Sequence, residues 1–274
     1  MPLESVLGID AAWTNTEPSG IALLTRERGR WRCVRVASSC EAFCDEDVAT
    51  KRPKRFAIDV PRLLGICETL CDGARPHVVA VDMPMGDKRV TMRRAADNLV
   101  SKGFGHAHCS THSPGETRPG LIGVNLAHAF AQHGYKLHFQ GKPEANALIE
   151  VYPHVALLAL MSSPKRLPYK VGNTNKYWKG KSLSQRRRSV MGEWHKILAQ
   201  LNKRIDGICL SLPAEDSDLP LARLKPYEDA LDALICAWVG TLYIDAATCA
   251  LGDAESAIWI PETSMQFAKE THGT

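Results

Sequence analysis

The sequence predicts an α/β fold: one mixed five-stranded sheet, a three-strand meander followed by parallel strands, flanked by helices and carrying an insertion after the fourth strand. Three observations predict it. Short apolar runs follow one another near the N-terminus at meander spacing. Two later apolar runs are separated and followed by stretches of helical periodicity, as right-handed crossovers require. Finally, 45% of the residues are apolar and 23% charged, the composition of a chain that buries a real core. At roughly 150 residues per domain, a length of 274 allows two domains. No linker or internal repeat divides the chain, so one domain over 1–274 is expected, with 87–146 as an irregular insertion and 164–188 as a basic loop segment.

Residues 5–13 (SVLGIDAAW) read as a buried strand ending in an aspartate. Residues 20–26 (GIALLTR) and 31–38 (WRCVRVAS) are two more, joined by Glu27-Arg28-Gly29-Arg30, where glycine permits the positive φ of a hairpin turn. A charged loop at 51–55 follows. Leu63, Leu64, Cys67, Leu70 and Cys71 fall at helical spacing within 60–71. The most apolar strand, 77–83 (HVVAVDM), again ends in an aspartate and is stopped by Pro84 and Gly86. One helix is expected in the insertion, near 124–132. Residues 147–152 (ALIEVY) form the fifth strand, and 154–161 a short helix after Pro153. An amphipathic helix over 189–203, a long apolar helix over 226–250 and a short strand at 258–260 complete the reading.

The longest apolar stretch, 233–244, has twelve residues. A membrane-spanning helix needs about 20, so this is a buried core helix and no membrane association is expected. The opening MPLES runs into VLGI without a basic region or cleavage site, so no secretory leader is expected. Nine cysteines, an odd number without zinc-knuckle pairs, suit reduced thiols in the cytoplasm. Cys40/Cys44 and Cys67/Cys71 read better as helical i,i+4 packing than as a zinc site.

Asp10 and Asp82 each end a central strand. In open α/β sheets ligands bind beyond the carboxyl ends of parallel strands, so neighbouring strands would bring these two carboxylates together; the alternative is a pair of turn or cap residues. The helix around Glu228-Asp229-Ala230-Leu231-Asp232 carries large apolar groups on one face and Ala230, Ala233, Ala237 and Gly240 opposite, a smooth face suited to close approach to a sheet. Asp229 and Asp232, three apart, are neighbours on it. Two such carboxylates near a buried face call for a cation or a hydrogen-bonded partner; the alternative is an exposed helix N-terminus after Pro226. Glu150, between Ile149 and Val151, points to one face of its strand. Acids from separate strands and a helix are the arrangement that holds one or two Mg²⁺ or Mn²⁺ ions and supports phosphodiester hydrolysis.

GIDAAW, VVAVDMPMG, IEVYPH and EDALDALICAW, in this order and with this placement, resemble the domain-of-unknown-function family numbered 429, predicted RNase H-like nucleases, and within that superfamily the Holliday-junction-resolvase branch. The resemblance runs from Leu7 to about Pro261. It implies an RNase H-like fold, Asp10 and Asp82 as metal ligands, and Asp229 and Asp232 as ligands or water positioners. It implies a less uniform catalytic role for Glu150, a nucleic acid partner (DNA or RNA) and a homodimer. Arg94 and Asp97 match the family's Arg-x-x-Asp, as a substrate contact or a structural ion pair.

The formal net charge is +4, yet residues 165–188 carry nine basic side chains and no acid, leaving −5 for the rest. Lys170, Lys176, Lys181, Arg186, Arg187 and Arg188 are candidate phosphate contacts and Trp178 a stacking platform; the alternative is a solvated loop. His106, His108, Cys109 and His112 resemble zinc spacing, but no second ligand group completes it, and a loop near the active site is the better reading. The expected function is a divalent-metal-dependent nuclease. The alternatives are a catalytically inactive nucleic-acid-binding protein of the same fold and, less favoured, a phosphotransferase, because AAWTNTEPSG lacks the Gly-Thr-rich phosphate turn.

Overall fold

A computed structural model describes residues 4–45 and 57–269; the charged 51–55 segment lies outside them. The first three strands are β1 (Ser5–Asp10), β2 (Gly20–Glu27) and β3 (Arg30–Ala37), an antiparallel meander as the apolar runs predict. Arg28 and Gly29 both take positive φ, 50° and 82°, so the two-residue turn twists with its strands. The short α1 (Cys40–Cys44) and α2 (Val60–Leu70) lead into β4 (Val78–Val81), which pairs parallel to β1. Cys40, Cys44, Cys67 and Cys71 are buried thiols in one apolar cluster under these helices, and all nine cysteines are free.

The insertion is more ordered than the sequence suggests. It forms α3 (Ala95–Phe104), α4 (Ile122–Ala131) and the two-residue β5 (Lys136–Leu137). Helix α3 was hidden because its stripe of Ala96, Val100 and Phe104 is interrupted by a buried Asp97. Next come β6 (Ala147–Val151), α5 (Pro153–Met161), α6 (Thr174–Tyr177), α7 (Leu183–Leu201), β7 (Ile205–Asp206) and α8 (Leu221–Ile244). The chain closes with β8 (Thr248–Gly252) and β9 (Ala257–Pro261).

The sheet therefore has nine strands rather than five, in the order β7-β3-β2-β1-β4-β6-β9-β8, with β5 beside β6. The additions are short or terminal strands whose pairing is set by tertiary contact rather than by their own pattern. Two helix boundaries also move. Helix α7 begins at Leu183, where Ser182 and Gln185 form a reciprocal cap, so Arg186, Arg187 and Arg188 ride on a helix and not on a loop. Helix α8 begins at Leu221 with Pro226 inside it; a proline there forfeits one i→i−4 bond. It ends at Ile244, and β8 occupies the stretch expected as its last turn.

Helices cover both faces. One apolar layer joins the sheet to α5, α7 and α8, and the other joins it to α1, α2 and α4. The smooth face of α8 lies directly on the sheet: a Cβ on Gly8 would stand 2.3 Å from the Ala233 carbonyl oxygen, and one on Gly240 would stand 2.4 Å from Val6. Among the described residues no helix is long and apolar enough to cross a membrane.

Candidate functional site

The parity of the central strands decides which side chains meet. Val6, Val78 and Ala80 face the α8 layer, while Leu7, Ile9, Val79 and Val81 face the opposite one. Two-residue periodicity therefore carries Asp10 and Asp82 to the α8 side. They are brought level by the parallel register Ile9↔Val81 and by the Asp82 amide, which donates to the Ile9 carbonyl at 2.9 Å. Asp10 pairs with Gly20 across the meander, and the missing side chain of Gly20 is filled by Asp229: a Cβ there would stand 2.1 Å from the Asp229 carbonyl oxygen. The acidic turn of α8 is thus seated over the end of β1. The Asp10 and Asp229 carboxyls are near enough for each to perturb the other's charge.

Two lysines enter this cluster. Lys170, whose side chain is 18% exposed, pairs with Asp232 and stands 3.5 Å from Glu228; Lys225, half-exposed, pairs with Asp229 and stands 3.2 Å from Glu228. The Tyr169 hydroxyl donates to Asp232 Oδ1 at 2.7 Å, and Trp194 fixes the Tyr169 backbone through its indole N–H. Asp10, Asp82, Glu228, Asp229 and Asp232 thus outnumber the two ammonium groups, and the electrostatics record the excess. Burial, reinforced by Asp10 and Asp232, holds Asp82 well above the usual carboxylate range. Burial raises Asp10 and Asp229 against the opposing pull of the lysines, and raises Asp232 to about 6. Glu228 goes the other way: burial works against its charge, but Lys170, Lys225 and the Val171 amide outweigh it.

Among the described residues no three His, Cys, Asp or Glu side chains already surround a common point as metal ligands; the lysines draw Asp229 and Asp232 toward themselves. The donor set nevertheless fits a hard divalent cation. It is all oxygen, its acids outnumber the lysines beside them, and burial raises the pKa of Asp10, Asp82, Asp229 and Asp232, which a cation would lower again.

Glu150 sits at the edge of the cluster. Its strand presents Ala147, Ile149 and Val151 to the α8 layer, so Glu150 points to the opposite face. Arg94 grips both its oxygens at 2.6 Å, and the Met85 amide donates to it at 3.0 Å. Arg94 also binds Asp97 at 3.0 Å. Both Arg94 and Glu150 are thereby committed to a buried structural network at the edge of the site.

Two cavities of about 270 and 280 Å³ open on the cluster and share Trp13, Asp82, Lys170 and Lys225 in their walls. The first extends past His112, Tyr152, His154 and Arg166; the second extends past Glu17 and Arg118. The basic segment divides by function. Lys170 belongs to the acid cluster. Lys176, Lys181 and Arg188 are exposed. Arg186 bonds Asn175, Arg187 donates to the Asp218 and Leu219 carbonyls, and Trp178 packs half-buried against the core. The His-rich stretch does not gather as a zinc site: His106 and His108 are exposed, Cys109 is buried against backbone carbonyls, and His112 stands at the mouth of the first cavity.

Sequence reasoning missed Lys225, Glu228, Tyr169, His154 and Arg166. A signal existed for the first two, since Lys225, Glu228, Asp229 and Asp232 share one face at i,i+3 and i,i+4 spacing. Reading Pro226 as the helix start placed Lys225 outside it.

The model of a family described as "Protein of unknown function (DUF429)" matches residues 8–256. No curated protein and no solved structure matches the chain.

Proposed function

The chain belongs to the DUF429 family, and on that premise we propose that it is a divalent-metal-dependent phosphodiesterase of RNase H-like build that acts on nucleic acid. The observation that carries this reading is the seating of four buried or partly buried aspartates, Asp10, Asp82, Asp229 and Asp232, on one side of the sheet with too few ammonium groups to balance them. The inner strand order β3-β2-β1-β4-β6, antiparallel then parallel, supports the RNase H-like part.

Those four aspartates, with Glu228 beside them, are the residues that would hold Mg²⁺ or Mn²⁺. When bound, such an ion supplies Lewis-acid activation of water and charge compensation at the leaving oxygen. The chain's own groups do the rest. Tyr169 fixes the orientation of Asp232 through its 2.7 Å bond. Lys170 lines both cavities while paired with Asp232, and so offsets part of the acidic charge that a phosphate entering either one meets. Trp13, common to both cavity walls, offers a face on which an unpaired base can stack. Arg118 in the wall of one cavity and Lys176 near His112 of the other provide cationic charge that steers the backbone toward an otherwise repellent acidic centre.

A specific observation favours a second reading, that of a nucleic-acid-binding protein that cleaves nothing. Lys170 and Lys225 already neutralise Asp232 and Asp229, so the cluster is partly satisfied without a metal. Asp10→Asn separates the two. As a nuclease, the chain loses Mn²⁺-dependent cleavage of DNA or RNA in this variant while its melting temperature is unchanged or higher. Retained cleavage sinks the metal mechanism, and absence of cleavage by the wild type across single-stranded, duplex and branched substrates leaves the binding reading.

A further inference from the structure

The 270 Å³ cavity carries, away from the acids, a wall that the metal chemistry does not use. Its cation is Arg166. Lys170, Lys225 and Arg94 are each committed to carboxylates, whereas among the described residues the Arg166 side chain has no hydrogen-bond or ion-pair partner, and its Nε is buried without an acceptor. Beside it in the same wall is His154, 7% exposed, whose Nδ1 is likewise buried without a partner. Buried polar groups are ordinarily paired. Two orphans in one cavity wall, one of them a permanent cation, mark a place that lacks an anion.

We propose that Arg166 and His154, with His112 at the mouth, form a phosphate-binding subsite adjoining the acid cluster. Its ligand class is a tetrahedral phosphate group. A guanidinium offers several N–H donors in a fixed fork suited to such oxygens, and a neutral imidazole adds one more donor. The two histidines are suited to that part. Burial first, and then the charge of Arg166, hold both below the usual imidazole range, so they enter as neutral donors rather than as competing cations. The opposite wall explains the need for the subsite. Asp82, Glu150 and Glu228 line the same cavity and repel an anion, so a phosphate is held only where Arg166 outweighs them. The subsite stands on these groups alone; it rests on the nuclease reading only for the source of the phosphate, a nucleic acid bound across the cluster.

The test is calorimetric titration of the full chain with inorganic phosphate, with and without Mg²⁺, for wild type, Arg166→Gln, Arg166→Lys and Asp10→Asn. Folding is checked in each by circular dichroism. The expected result is saturable phosphate binding that survives in Asp10→Asn, weakens roughly tenfold or more in Arg166→Gln and recovers in part in Arg166→Lys. Absence of phosphate binding in the wild type, or equal affinity in a folded Arg166→Gln, overturns the subsite. Short oligonucleotides with and without a terminal phosphate identify the source. A loss in Arg166→Gln confined to the phosphorylated ligand assigns the subsite to a chain end, and an equal loss for both assigns it to an internal diester. Arg166-dependent phosphate affinity in a protein that cleaves nothing supports the subsite and removes the nuclease reading. Cleavage without Arg166-dependent affinity does the reverse.

Discussion

Gly20→Ala probes how the acidic turn is held in place. The added Cβ would lie 2.1 Å from the Asp229 carbonyl oxygen and 2.6 Å from its carbonyl carbon, whereas ordinary contact begins at 3.4 Å, so about 1.3 Å of movement is required. The obstacle is backbone on both sides, and no flexible side chain can swing away. Helix α8 also meets the sheet where Gly8 of β1 lies under Ala233 and where its own Gly240 lies over Val6, at 2.3 Å from backbone and 2.4 Å from a side chain for an added Cβ, so the helix cannot tilt at one point without loosening the next. Overpacking of this kind costs about 1–3 kcal/mol. The displaced element is the one carrying Asp229 and Asp232, and a misplacement of about 1 Å at a reacting centre lowers rate by up to about 10²-fold. The expected outcome is a protein that unfolds at lower urea concentration, with a fall in Mn²⁺ affinity and in any cleavage activity well beyond what lost stability explains. Urea denaturation and calorimetry on the same samples separate the two effects. A Gly20→Ala variant with unchanged Mn²⁺ affinity would refute the claim that this contact positions the acids.

Other outcomes follow from the same geometry. Arg94→Met leaves Glu150 and Asp97 buried without their partner, and should cost about 3–5 kcal/mol in chemical denaturation. Asp232, raised to about 6, holds its proton more tightly when folded than when unfolded, so its burden on stability is absent below about pH 4 and grows as pH rises through 6. In metal-free buffer the stability of Asp232→Asn relative to wild type should therefore improve between pH 4 and pH 7. The lowered pKa values of His112 and His154 act oppositely but in both proteins; a pH-independent difference between them contradicts the assignment. In the basic segment, Lys176→Gln and Lys181→Gln should each reduce the salt slope of nucleic-acid binding by about 0.7–0.9. Arg187→Gln, which loses carbonyl partners instead, should cost about 1 kcal/mol of stability with little change in slope. Filter binding across a salt series and thermal melts distinguish these.

Much of the site was legible because its parts obey local rules. Asp10 and Asp82 end apolar runs whose parity and neighbouring position follow from alternation and parallel pairing, and the small face of α8 announced its contact with the sheet. What could not be read was relative placement. Alternation says that Glu150 opposes Ile149 and Val151, but not which face the acids of the other strands share; the register Val81↔Glu150 assigns it to the far one. Helix α3 escaped because Asp97, buried for its bond to Arg94, breaks an otherwise apolar stripe. Lys170 looked like one more charge in a basic run because its partners lie about sixty residues away on α8. Arg166 is legible only by the partners it lacks, and these exist only in three dimensions.

The central claim is that the aspartates form a divalent-cation site, and calorimetric titration of Mn²⁺ into metal-free wild type and Asp82→Asn tests it most directly. Asp82 is suited to this comparison because it follows the central strand β4 on the α8 side, where burial and the neighbouring Asp10 and Asp232 raise its pKa above the usual range. The account predicts saturable binding to the wild type, with affinity lost or reduced by an order of magnitude or more in a folded Asp82→Asn. Wild type that binds no Mn²⁺, or binds it as tightly without Asp82, would contradict it.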